Sequence, residues 1–168
     1  MIMPKSGVSD FEATWRLVRG RFEESVSGLT QNQLNWRLHP DSLTLAEMAV
    51  HVAGVETSFA SQLTGQDLSP LETRIKAAAT DGAVNDNPFP FTPEELTPTF
   101  VAEALSIGRA MAEPIVCNPT EALRSKQIVS ALGPVIDGTG ALCRLSFHPG
   151  YHQGQAYLIR TAPGFPSS

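Results

Sequence analysis

Charge is thin along this chain. Asp, Glu, Lys and Arg make up 17% of its 168 residues, where a soluble domain usually carries about a quarter. Together with 42% apolar residues, that excludes a disordered acidic or basic chain. Twelve Lys and Arg against seventeen Asp and Glu leave a net charge of −5 with no run of like sign, which argues against nucleic acid or an anionic membrane as partner. Long apolar runs are missing too. No stretch approaches the ~20 residues that span a bilayer, and Met1 to Gly7 lack the apolar segment of a secretory signal. Cysteine is limited to Cys117 and Cys143, without the spacing of a zinc ribbon or a disulfide framework. The expectation is a cytoplasmic protein with reduced thiols. There is no phosphate loop, no GxGxxG after a strand, no GxSxG elbow, no HExxH and no CxxCH.

What the chain has is helical periodicity. At 18.1 kDa it is long enough for one domain, residues 1–168, to bury roughly two-thirds of its unfolded surface. Ser9 and Glu12 have capping-box spacing, followed by Phe11, Trp15, Val18, Phe22 and Val26 on one helix face, with Gly28 as a stop. Thr44 and Glu47 form a second box, with Leu43 placed to staple onto Met48. Behind it Leu45, Met48, Val52, Val55, Phe59 and Leu63 make a stripe that Gly65 closes. Residues 66–91 are a long punctuated connection with a short helix across Leu71 to Ala79. A connection of that length can cross a bundle and leave its neighbours parallel. Thr92-Pro93-Glu94-Glu95 opens a third helix through Leu96, Phe100, Ala104, Ile107 and Met111 to about Pro114. Pro98 deletes a hydrogen bond, so the regular helix can begin there. Residues 122–138 read as a small hairpin or coil, and a fourth helix runs from about Gly140 to Thr161. The pattern predicts an all-α protein, a four-helix bundle.

The chain has four histidines, and their placement carries the chemistry. His148 and His152 lie one turn apart on the last helix, in line with Leu142, Leu145, Ala156 and Ile159, so both face the interior. His51 sits at the edge of the second stripe, aimed at a seam between helices. Three neutral imidazoles with further positions open match a catalytic divalent-metal site, and bundle cores are common places for one. The competing reading is a set of hydrogen-bonded core histidines. Glu56 falls on the far side of the stripe from His51 and is expected to be solvent-facing or to support a ligand rather than bind metal. His39, in the Arg37–Pro40 loop, is expected at the surface. Cys143 is expected as a small core residue, and Tyr151 is expected to point away from the histidines.

Leu34-Asn35-Trp36-Arg37 with Pro40, then Leu45, Glu47 and His51, resemble the first signature of the DinB/YfiT-like superfamily. His148-Pro149-Gly150-Tyr151-His152-Gln153-Gly154-Gln155, followed by Tyr157 to Arg160, resemble its second, a histidine pair closing on His-x-Gly-Gln. With the helix order and the long 66–91 connection, the resemblance covers nearly the whole chain. It implies a four-helix bundle in up-down-down-up order, a homodimer, and a divalent metal (nickel, zinc, manganese or iron) held by His51, His148 and His152. It also implies a small-molecule substrate and, in thiol-dependent transferases and isomerases, a low-molecular-weight thiol cosubstrate. Other members are classed as metal-dependent hydrolases. Gln155, three residues past His152, is placed to orient it. Trp36 and Arg37 are pocket candidates on resemblance alone. Pro149-Gly150 departs from the family pattern and would either splay the histidine pair or re-aim His148.

Two functional classes follow. One is an enzyme whose metal lowers the pKa of a bound thiol or water. The other is a non-catalytic helical bundle that binds a ligand or partner and keeps its histidines as packed polar residues. An all-imidazole site is expected to lose its metal between about pH 7 and about pH 5, because protons compete for the same nitrogens.

Overall fold

Capping hydroxyls set most of the helix starts. A computed structural model describes residues 9–167, so the expectation about Met1 to Gly7 lies outside the described residues. The elements are α1 (Glu12–Val26), α2 (Gln31–Leu34), α3 (Leu45–Thr64), α4 (Pro70–Ala77), α5 (Pro98–Cys117), α6 (Glu121–Ser125), β1 (Gln127–Val129), β2 (Val135–Asp137) and α7 (Gly138–Arg160). At α3 the Thr44 hydroxyl accepts from the Glu47 amide at 3.1 Å, and the Glu47 carboxylate accepts from the Thr44 amide at 2.8 Å. These bonds satisfy amides that the first turn leaves without partners.

Three helix starts differ from the first signal in the sequence. Ser9 does not cap α1: its hydroxyl donates to the Val116 carbonyl at the end of α5 instead, and Glu12 pairs with Arg16 at 2.8 Å. Glu95 does bind the Thr92 amide, at 2.9 Å, but that closes only a turn. The helix proper opens at Pro98 behind a Thr97 cap, the start that Pro98 itself suggested, since proline fits best at the first helical position. α7 starts at Gly138, two residues ahead of expectation, where the Asp137 carboxylate accepts from the Gly140 amide at 2.7 Å. α2 and α6 are single turns, capped by Thr30 and Thr120, too short to leave a periodic signal. The hairpin is present, pairing Gln127 with Asp137 and Val129 with Val135.

The protein is mainly helical, with four long helices. α3 is central: it packs on α5, α4 and α7, while α1 packs chiefly on α7. That is why Ala46, Ala49, Val50 and Ala53, off the expected stripe, are as buried as Val52 on it. Gly54 lets α4 come close, since a Cβ there would lie 2.6 Å from the Ile75 carbonyl oxygen and 2.8 Å from the Ala79 nitrogen. Gly108 does the same for α5, opposite Ala53 and the Glu56 carboxylate. Cys143, expected in the core, is exposed on α7. Among the described residues no helix is long and apolar enough to cross a membrane.

Candidate metal centre

α3 and α7 bring His51, His148 and His152 together. The His148 Nε2 lies 3.0 Å from the Nε2 of His51 and 3.0 Å from that of His152. All three ligand atoms fall within 4.8 Å of one another, close enough to hold one metal ion, since metal–imidazole bonds are about 2.1 Å. His51 and His152 are each only 5% exposed. His51 was expected at the rim of α3; α4 covers that rim.

The far side of two rings shows what the near side offers. His51 Nδ1 lies 2.8 Å from the Ala78 carbonyl oxygen at the end of α4. A carbonyl only accepts, so Nδ1 carries the proton and Nε2 presents a lone pair. His152 Nδ1 donates in the same way to Gln155 Oε1 at 2.7 Å, while the other end of that amide donates to the Tyr151 hydroxyl at 3.1 Å. Two lone pairs therefore face His148 Nε2, which holds one proton at most. At most one of the two contacts can therefore be a hydrogen bond, and the other has no proton of its own between its nitrogens. A shared cation satisfies all three, and an outer hydrogen bond on each of two rings is the usual arrangement of metal-binding imidazoles.

Protonation is a poor substitute. Burial pushes all three imidazoles below their ordinary value: His51 against an opposing bond to Ala78, His148 furthest with repulsion from His152 and His51 added, and His152 to about 4. Neutral imidazole is the metal-binding form.

Pro149 and Gly150 do not splay the pair. α7 runs through Pro149, and Gly150 sits where α1 crosses, a Cβ there being 3.2 Å from Val18. Glu56, expected to be solvent-facing or to support a ligand without binding metal, is 1% exposed and bonds to none of the three histidines. Its carboxylate accepts from Arg19 at 2.8 and 3.1 Å and from the Trp15 indole at 3.3 Å, and Arg19 also donates to the Leu105 carbonyl at 2.7 Å. The position opposite His51 faces α1 and α5 rather than water, so the carboxylate binds an arginine and not the cluster. Tyr151, expected to point away, stacks edge-on against His152 with centroids 5.0 Å apart.

The histidines open onto a cavity of about 740 Å³. Its walls are mainly apolar, including Val55, Phe59, Leu132 and Phe147, with Tyr151, Gln155 and the exposed His39 on the rim. Trp36 and Arg37 do not line it. Trp36 packs edge-on against Phe165 at 5.6 Å. Arg37 binds the Ser42 carbonyl and, at 2.7 Å, the Glu47 carboxylate. Arg37 thereby braces the entry to α3. Arg144 and Ser130 on the cavity wall carried no motif in the sequence.

Helices wrapped around an inward imidazole cluster of this spacing define a DinB/YfiT-like protein. The mycothiol-S-transferase family model matches residues 10–163, and the chain belongs to that family. Among solved structures, a conserved protein from Enterococcus faecalis shares the fold, with a TM-score of 0.64 and 21% sequence identity over 88% of this chain and 91% of that one. No curated protein matches the chain.

Proposed function

We propose that this chain is a metal-dependent thiol S-transferase on an up-down-down-up four-helix bundle. In this reading His51, His148 and His152 hold a divalent ion, and a low-molecular-weight thiol is the cosubstrate. The observation that carries it is the pair of fixed tautomers, which turns two Nε2 lone pairs onto a third ring 3.0 Å away. Family membership supports thiol transfer as the reaction.

A divalent ion there would lower the pKa of a bound thiol and polarise a substrate oxygen. The chain itself supplies placement and dryness. Ala78 and Gln155 hold two rings in register, while buried Val55 and Phe59 keep water off that side of the cluster so that charge is felt strongly. Among the described residues the carboxylate on the cavity wall is Asp41, in the exposed loop before α3, so no carboxylate base stands at the cluster. In the reaction the thiol sulfur forms a bond to an electrophilic carbon, the leaving group departs with its electron pair, and the thiol proton passes to solvent.

The test is elemental analysis of protein purified without a metal-affinity tag, followed by thioether formation between a small thiol and an aryl halide. One divalent ion per chain and a reaction lost on chelation and in His152→Ala are expected. A chain that takes up no divalent ion overturns the reading.

A further inference from the structure

The geometry points to an anion subsite made by Arg144 and Ser130: the second substrate entering beside the imidazoles carries a carboxylate on an apolar body. This deepens the transferase reading by naming the class of the electrophile.

Four arginines are withdrawn from full exposure: Arg19, Arg109, Arg124 and Arg144. The first three meet carboxylates, of Glu56 and Glu23, of Glu23, and of Asp10 respectively. Arg144 meets none among the described residues. It is also the one Lys or Arg on the cavity wall, four residues before His148 and so on the same face of α7. Asp41 lines the same cavity without pairing to it. A half-buried guanidinium beside apolar walls loses hydration that only a counter-ion restores.

Ser130 supplies an independent observation. It is 5% exposed and lines the same cavity, and its hydroxyl oxygen has no hydrogen-bond partner among the described residues. Its backbone is already committed: the amide donates to the Pro134 carbonyl and the carbonyl accepts from the Gly133 amide, both within the β1–β2 turn. A buried polar atom left unpaired is costly and uncommon in folded proteins. A guanidinium and a hydroxyl together offer donors to the two oxygens of a carboxylate. A dianionic phosphate would call for more cations than this wall carries. The surrounding Leu132, Phe59 and Phe147 suit a hydrocarbon or aromatic body.

The test uses 2-naphthoate and its neutral isostere 2-naphthamide, titrated calorimetrically into the full chain, both metal-free and zinc-loaded. In metal-free protein naphthoate should bind about tenfold tighter than naphthamide. Arg144→Met should erase that preference, Arg144→Lys should keep part of it, and Ser130→Ala should weaken naphthoate by about threefold. Arg21→Met, at an exposed position outside the cavity, should change nothing, and thermal melts verify that every variant folds. Equal binding of the two probes, binding of neither, or a preference that survives Arg144→Met overturns the subsite. So does a preference seen only with zinc, which would assign the carboxylate to the metal. Failure of the chain to bind metal would sink the transferase reading and leave this comparison intact.

Discussion

At His152 one imidazole is held from both edges, with Nδ1 on Gln155 and Nε2 toward His148. Its removal takes away a ligand atom, whereas Glu56→Ala takes away the buried one of two carboxylates that pair with a fully buried arginine, leaving Glu23. The two variants should fail differently. His152→Ala should lose metal while staying folded. Glu56→Ala should lose about 3 kcal/mol of stability, the cost of breaking a buried ion pair, and its folded fraction should keep metal. Elemental analysis paired with thermal melts separates the two outcomes, and equal metal loss in both would contradict the assignment. Gln155→Leu should weaken metal binding about 10–100-fold, as outer hydrogen-bond partners do. The pH dependence also changes from the expectation, which took the imidazoles at their ordinary pKa. Each folded pKa lies below the unfolded one, so between them the unfolded chain binds more protons. Stability of the metal-free protein therefore falls as pH drops from about 6.5 toward the His152 value of about 4. Competition at the folded site belongs to the lower end of that window, not to pH 7–5. Melting temperature and bound metal followed across pH should separate, stability declining first.

Among the elements, α3 shows where a sequence can be read and where it cannot. Its cap, its Gly65 stop and its apolar stripe are local signals, and the structure follows them. Its other faces could not be assigned, because Ala49, Val50 and Ala53 are buried by α4 and α5, contacts set by chain topology rather than periodicity. The same cause misplaced Glu56 and the rim position of His51. Ser9 and Glu12 show the converse: their capping spacing is correct, yet a carbonyl of α5 and Arg16 claim the side chains. Gly54→Ala tests the α3–α4 contact. Its Cβ would meet backbone atoms at 2.6 and 2.8 Å, so α4 must move, at about 1–3 kcal/mol, and carry Ala78 off His51. A lower melting temperature together with weaker metal uptake is expected; a full complement of metal at wild-type affinity would count against the coupling.

Across the whole molecule, the histidine pair and the four long helices were legible because both depend on residues a few positions apart, whereas the single turns α2 and α6 were not. The cavity was not, since its walls come from the loop before α3, the hairpin and α7, which are distant in sequence. One exposed face of this assembly is apolar: Phe147, Tyr151 and Leu158 on α7 stand near Leu132 of the hairpin turn around a single cavity. Small monomers rarely leave such side chains clustered in water. A second copy covering them would give a dimer of twice 18.1 kDa, as the family resemblance implies. Light scattering at micromolar concentrations should find that mass, and Phe147→Asp should halve it. A wild-type chain that scatters at its own mass would exclude the dimer.

The bond from His51 to the Ala78 carbonyl makes the end of α4 part of the cluster's support. α4 is two turns long, too short to persist alone in water, so its persistence depends on what it leans against. Metal that fixes His51 should therefore slow amide hydrogen exchange along Arg74 to Ala79, while the far end of α5 exchanges at an unchanged rate. In that sense the segment after α3 is a built-in reporter of occupancy, readable by mass spectrometry without any substrate in hand.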